Sequence, residues 1–348
     1  MDKKIRDLIN KLAKFHCLSK EEYTLLITER DEEAAELLRK KADAVRREYY
    51  GNDVYVRGLI EISNFCKQNC YYCGIRAGNK NCERYRLTEE EILDCCKEGY
   101  KLGIRTFVLQ GGEDPYFTDE VLCNLISEIK SRYPACAVTL SLGERSRYSY
   151  IQLFNAGADR YLLRHETADL KHYTKLHPDG TLMRRAVCIG YLKATGFQLG
   201  SGFMVGSPYQ TVEHLAADLR YLERIKPDMC GIGPFIPHRD TPFGHFEAGS
   251  VDLTCYLLSI IRLAHPKILL PATTALATLD PRGREKGILS GANVIMPNLS
   301  PADAREKYNL YNGKLSSGTE AAENIRKIKN SMKKIGYRVV ESRGDVKC

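Results

Sequence analysis

Cys66-Lys-Gln-Asn-Cys70-Tyr-Tyr-Cys73 follows closely on an apolar, strand-like run, Val54-Tyr-Val-Arg-Gly-Leu-Ile-Glu-Ile62. A short loop with this C-x3-C-x2-C spacing can fold back and aim three thiolates at one iron–sulfur cluster. Most such clusters take four cysteines. Three from one loop leave one iron without a protein ligand, and an open iron can bind a substrate or cofactor. Cys66, Cys70 and Cys73 are therefore the candidate catalytic and metal-ligating residues.

Zinc is the competing reading. Structural zinc uses four Cys or His ligands, commonly as two separated pairs. No second C-x2-C occurs later in the chain. The later His pair at finger-like spacing, His172 and His177, lies roughly a hundred residues on, outside the usual finger span. Cys82 is available as a fourth ligand, with a free thiol as its plainer role. A zinc-binding assembly scaffold is thus the non-enzyme alternative.

The hydrophobic fraction of 43% and charged fraction of 28% are those of a globular protein able to bury a sizeable core. No apolar run reaches membrane-spanning length, and the basic start Met1-Asp-Lys-Lys lacks a signal-peptide core. A cytoplasmic protein is expected, with no membrane partner. Cys95-Cys96, Cys123, Cys188 and Cys255 are scattered, as small core residues in a reducing compartment would be. The net charge of +8 is mild for 348 residues, and Lys and Arg are interspersed with Glu and Asp. That is a solvated surface, with no nucleic-acid-binding signature.

Residues 1–50 read as a helical extension. Ile5, Leu8, Ile9 and Leu12 recur at helical spacing, and Ser19-Lys-Glu-Glu22 looks like a capping box. From 51 to 348 strands and helices alternate. Strand candidates are 54–61, 105–110, 136–142, 158–164, 198–205, 229–235, 268–273 and 292–296. Eight strands with helices between them predict a (β/α)8 TIM-type barrel, although a doubly wound open sheet also alternates. Residues 319–335 read as a closing helix.

In a barrel, ligands sit at the C-terminal ends of the strands. The second strand runs into Gln110-Gly111-Gly112-Glu113, where glycines allow close backbone approach. Strand-edge carbonyls or the Glu113 carboxylate can accept from an ammonium there. The third ends in Thr139-Leu-Ser141-Leu-Gly-Glu144, and the fourth in Arg164-His-Glu166-Thr167. Arg184-Arg185 opens the next helix, and an Arg fork can pair with a carboxylate ligand or with Glu166. Backbone around Ile232 can flank a base. Thr273 and Thr274 offer hydroxyls to an anionic group, with helix capping as the plainer reading.

These strings resemble the radical S-adenosylmethionine (SAM) superfamily, and within it the FeFe-hydrogenase maturase HydE family. The resemblance runs from about residue 45 to 315. It rests on Ile62-Ser-Asn-Phe-Cys66 with Tyr71-Tyr-Cys-Gly74, Val108-Leu-Gln-Gly-Gly-Glu-Asp-Pro115, Ala158-Asp-Arg-Tyr-Leu-Leu-Arg-His-Glu-Thr167, Gly231-Ile-Gly-Pro-Phe-Ile-Pro-His238 and Ala292-Asn-Val-Ile-Met-Pro-Asn298. It implies one 4Fe–4S cluster, whose open iron holds the amino and carboxylate groups of SAM. It also implies a 5′-deoxyadenosyl radical acting on a cysteine-bound iron carbonyl–cyanide precursor, a small iron- or thiol-containing substrate. By the same resemblance Glu113 belongs to a GGE motif holding the methionine amine, and Tyr72 lies near the adenine. Arg57, Ser141, Arg164, Glu166, Arg185, Thr273, Thr274, Met296, Tyr308 and Tyr311 line SAM or a deep cavity, with Thr139 beside them. The partners implied are an electron donor such as ferredoxin or flavodoxin and the other hydrogenase maturases. Methylornithine synthase and biotin-synthase-like enzymes are the sister readings. Some relatives carry a second cluster on C-terminal cysteines. Here Gly313-Lys-Leu-Ser-Ser-Gly-Thr-Glu320 has none, so a single cluster is expected.

Overall fold

The computed structural model of the protein describes residues 1–316 and 322–347. Three helices come first: α1 (Lys3–Phe15), α2 (Lys20–Thr28) and α3 (Glu32–Tyr50). Asp2, Ser19 and Asp31 accept backbone N–H groups at their starts, and Ser19 with Glu22 forms the predicted capping box. Their buried faces, Ile5, Leu8, Leu12, Leu26 and Leu38 among them, belong to the same continuous core as the strands and helices that follow.

The first barrel strand is β1 (Asp53–Val56) continued by β2 (Gly58–Ser63). Then come α4 (Glu89–Lys101), β3 (Thr106–Gly111), α5 (Asp119–Arg132), β4 (Ala137–Ser141), α6 (Arg147–Asn155), β5 (Arg160–Leu162), α7 (Leu170–Leu176) and α8 (Leu182–Thr195). The second half runs β6 (Gln198–Ser201), β7 (Met204–Val205), α9 (Val212–Ile225), β8 (Met229–Cys230), β9 (Gly233–Pro234), α10 (Val251–Ala264), α11 (Thr274–Leu279), α12 (Gly283–Leu289), β10 (Val294–Ile295) and α13 (Ala302–Lys307). After the undescribed 317–321, a turn of 3-10 helix, Ala322–Asn324, leads into α14 (Ile325–Lys334) and β11 (Arg338–Val340). The first residues of the predicted closing helix, 319–321, thus lie outside the described residues.

Strands β2, β3, β4, β5, β6 and β8 pair in that order, all parallel. Single bridges carry the sheet on from Met229 to Leu269 and from Pro271 to Val294. β10 pairs with β1, and Asn298 bridges to Leu59. The sheet therefore closes into the eight-stranded parallel barrel that the sequence pattern predicts. Its seventh strand is reduced to the bridged residues around 269–271.

Alternation along each strand separates two environments. Ile60, Ile62, Phe107, Leu109, Val138, Leu140, Tyr161 and Leu163 join the outer core under the helices. The residues between them, Arg57, Glu61, Gln110, Thr139, Ser141 and Arg164, take the inward face. The N-terminal end of the barrel is stoppered. Tyr50, Tyr55, Met229, Leu269 and Val294 form a separate apolar cluster there, and β11 pairs with β1. The C-terminal tail lies across the same end: Arg343 carbonyl accepts from Thr106 Oγ1 at 2.8 Å and Arg160 Nη2 at 2.9 Å, and Gly344 carbonyl from Arg57 Nη2 at 3.4 Å. The cysteine loop leaves the opposite end, after β2. Among the described residues, no helix is long and apolar enough to cross a membrane.

Candidate active site

The cysteine loop leaves the end of β2 and is pinned on both sides. Ser63 Oγ donates to Asp114 Oδ2 at 2.6 Å and accepts from the Phe65 N–H at 3.1 Å. Asp114 is itself held by Arg86, Nε to Oδ2 at 2.7 Å and Nη2 to Oδ1 at 3.0 Å. Gly112 permits the approach of the loop: a Cβ there would stand 2.2 Å from Phe65 O and 2.6 Å from Cys66 Cβ. The far side of the loop is covered by other elements. Tyr71 N–H donates to Leu176 O, Gly74 N–H to Leu310 O and Phe243 N–H to Tyr71 O.

The three thiols share one small region. Burial pushes Cys70 up to about 12, with Cys66 adding to the effect. Burial first, then Cys70 and Cys66, hold Cys73 well above the usual thiol range. Burial raises Cys66 too, against hydrogen bonds from backbone N–H groups; the Glu113 N–H lies 3.4 Å from its Sγ. A thiol that coordinates a metal is deprotonated by it. A lone zinc needs all its thiolates about 2.3 Å from one point, whereas a cubane spreads them over separate irons. The donor set fits a cluster.

Within the barrel, several polar atoms are buried without hydrogen-bond partners: Thr139 Oγ1, Thr273 Oγ1, Arg57 Nε at the floor, Arg164 Nε and Glu166 Oε2. Buried polar atoms in native proteins are mostly hydrogen-bonded, so these atoms have capacity that a ligand can use. Glu166 Oε2 does lie 3.0 Å from Arg164 Nη2 as an ion pair, at an angle that leaves both without a proper hydrogen bond. Glu166 also has φ +64, a left-handed backbone that side chains other than glycine adopt at a cost. Its N–H donates to Gly202 O. The preceding His165 is fully buried, its Nδ1 3.0 Å from Ser201 Oγ.

Other sequence-derived candidates are placed differently. The Glu113 carboxylate accepts from Gln68 Nε2 at 2.7 Å and from the Glu144 N–H at 2.9 Å. It is occupied in bracing the loop, and the neighbouring Gly112 carbonyl accepts from the Asp114 N–H at 2.9 Å. Arg185 does not reach Glu166; its Nε donates to Glu144 Oε1 at 2.7 Å. Tyr72 is in edge contact with His177. The Ile232 side chain is buried in the main apolar core. Thr273 precedes α11 without capping it, and Thr274 is the first residue of that helix. Arg57 sits on the floor against Met229 Sδ at 2.9 Å, and Met296 packs against the apolar cluster that contains Met229. Ser141 ends β4, in register with Gln110. Tyr308 is buried beneath Lys314, 4.9 Å from its ring, and half-buried Tyr311 follows.

Two further side chains were not among the site candidates. Glu61, fully buried, accepts from Lys314 Nζ at 2.6 Å and Asn298 Nδ2 at 2.8 Å. Its signal was present, as a charge inside an apolar strand. His177 Nδ1 lies 3.2 Å from Cys70 Sγ. Nothing in its spacing announces that contact.

A family model, the radical SAM superfamily, matches residues 60–222. The [FeFe] hydrogenase maturase subunit HydE of Thermotoga maritima is 48% identical over 280 residues, 80% of each chain. The 3-methylornithine synthase of Methanosarcina acetivorans is 28% identical, covering 91% of this chain and 88% of its own. Among solved structures, methylornithine synthase (PylB) overlays with a TM-score of 0.82 at 25% identity, over 96% of this chain and 97% of that one.

Proposed function

Because the chain belongs to the HydE family of radical SAM enzymes, we propose that it works in assembly of the FeFe-hydrogenase diiron subsite. Its substrate would be a cysteine-bound iron carbonyl–cyanide precursor. The observation that carries this reading is the 48% identity to a HydE maturase across 80% of the chain. When bound, the cluster and SAM supply reductive cleavage to a 5′-deoxyadenosyl radical.

The residues contribute orientation and a dry enclosure. Cys66, Cys70 and Cys73 are the three ligands of a single 4Fe–4S cluster. The backbone of Gln110, Gly111 and Gly112 takes the SAM ammonium. Glu166 accepts from the ribose hydroxyls; Arg164 and Ser141 stand by it, Tyr72 and the backbone of Ile232 flank the adenine, and Arg185 steadies the rim through Glu144. Thr139, Thr273, Thr274, Arg57, Met296, Tyr308 and Tyr311 border the substrate. The stoppered base supports this assignment, because it closes the cavity to water from below. A ferredoxin or flavodoxin supplies the electron, the other maturases are partners, and the compartment is the cytoplasm. Residues 317–320, part of the cysteine-free stretch on which a single cluster is expected, and Cys348 lie outside the described residues.

The test is anaerobic reconstitution followed by iron and sulfide analysis, SAM cleavage and a coupled maturation assay. About four irons per chain are expected, lost in Cys66→Ala, Cys70→Ala and Cys73→Ala together with SAM cleavage. Stoichiometric zinc instead would favour the scaffold. SAM cleavage coupled to methylornithine formation, without subsite assembly, would favour the methylornithine-synthase reading, which the structural overlay supports.

A further inference from the structure

We infer that His177 tunes the cluster's reduction potential by donating a hydrogen bond to the Cys70 thiolate, with Tyr72 fixing its tautomer. The inference rests on the reading of Cys66, Cys70 and Cys73 as cluster ligands. Three observations carry it. His177 Nδ1 lies 3.2 Å from Cys70 Sγ. His177 Nε2 lies 3.4 Å from Tyr72 OH. The ring is stacked on Tyr173, centroids 4.4 Å apart at 22°, and edge-on to Tyr72 at 5.4 Å and 85°.

The protonation pattern follows from the acceptor. A metal-bound thiolate has no proton to give, so a hydrogen bond across the Nδ1–Sγ contact requires the proton on Nδ1. A neutral imidazole then carries a lone pair on Nε2, and the Tyr72 hydroxyl is placed to donate to it. Second-shell partners of this kind set the orientation and electronics of a ligand. His177 is buried and packed on both sides, so the contact is held by geometry and not by a mobile side chain.

Hydrogen bonds to cluster sulfurs are among the factors that set iron–sulfur potentials. An added electron increases the negative charge on the ligand sulfurs. A donor to Sγ therefore favours the reduced state and raises the potential. Cys66 receives a backbone N–H, from Glu113 at 3.4 Å, which no side-chain substitution removes. The Cys70 contact comes from a side chain, and substitution can abolish it. His177 is a positioning residue on this reading, acting through Cys70.

The experiment is a potentiometric EPR titration of the anaerobically reconstituted full-length protein, without SAM, for wild type, His177→Phe, His177→Gln and Tyr72→Phe. His177→Phe keeps a ring for the Tyr173 stack and removes the donor. Its reduction equilibrium constant should fall about tenfold, a shift of about 59 mV to more negative potential for one electron. His177→Gln retains an N–H and should recover part of the shift. Tyr72→Phe releases the tautomer and should move the potential the same way by less. Equal potentials in wild type and His177→Phe overturn the inference. If His177→Phe takes up no cluster, the decision passes to His177→Gln and Tyr72→Phe, and wild-type potentials in both overturn it. Lower occupancy at an unchanged potential marks a purely structural role and overturns it too. Failure of the wild type itself to take up a cluster would instead strike the ligand reading.

Discussion

The Glu61 carboxylate and the Lys314 ammonium meet at 2.6 Å with side-chain exposures of 0% and 7%. The pair joins the first barrel strand to the segment that follows α13, beside the site. Burial pushes the Glu61 carboxyl up, and Lys314 pulls it part of the way back. Breaking such a pair from one side leaves a buried charge uncompensated. Lys314→Met should therefore destabilise the protein by about 3–5 kcal/mol. Glu61→Leu combined with Lys314→Met should cost much less than either change alone. Denaturant unfolding of the three variants checks this, and additive losses would contradict it.

Gly112→Ala tests the seat of the cysteine loop. The new Cβ would meet backbone, Phe65 O at 2.2 Å, and not the end of a flexible side chain. The loop must shift, and three ligands that act together lose their common centre. The variant should fold but lose most of its iron on reconstitution. Gly190→Ala is the control, because its Cβ meets nothing within 4 Å and lies inside α8. It should keep full iron and gain about 0.5–1 kcal/mol. Equal iron in the two variants would remove Gly112 from the argument.

The barrel was legible because each strand alternates between an outer apolar face and an inner polar one, as Ile60-Glu61-Ile62 and Val138-Thr139-Leu140 show. The cysteine spacing was legible because its three residues are local. Partner choice was not. Glu113 and Arg185 both looked free to meet a ligand, yet Gln68, the Glu144 N–H and the Glu144 carboxylate hold them. Those partners are brought in by the closing of neighbouring strands, and no spacing along the chain encodes them. Glu61–Lys314 and Cys70–His177 are long-range contacts of the same kind.

Asp345 gives a pH dependence for the stoppered end. Burial works to raise its carboxyl, but the Gln198 hydrogen bond and the Arg160 charge outweigh it and hold it at about 2, against 3.8 unperturbed. A depressed acid stabilises the fold above its unfolded value and loses that contribution as pH falls through the folded one. The window is thus roughly pH 4 down to 2. The side chain is 39% exposed, so solvent screening reduces the effect to about 1 kcal/mol. Asp345→Asn should lose that amount equally at pH 5 and pH 8, the difference shrinking only below pH 4. Denaturant midpoints across this range are the measurement; a gap that widened toward acid would refute the sign.

Glu166 and the threonine pair divide the cavity between SAM and substrate on the reading proposed above. Glu166 Oε2 is buried beside the end of β5, ion-paired with Arg164 but without a hydrogen bond, and held there by a left-handed backbone. A strained residue whose acceptor lacks a hydrogen bond is suited to ribose hydroxyls. Thr273 Oγ1 is likewise buried without a hydrogen bond, but it follows the seventh strand, across the barrel mouth. It does not cap α11, so helix stability does not account for its hydroxyl. Glu166→Gln replaces a charged acceptor by a neutral amide and should weaken SAM binding by about 1–3 kcal/mol. Thr273→Val with Thr274→Val should leave SAM binding and uncoupled cleavage nearly intact while suppressing turnover of the iron-bound substrate. A SAM titration run beside the coupled maturation assay separates the two effects. If the threonine pair weakened SAM as much as Glu166→Gln did, or left maturation untouched, the division would be wrong.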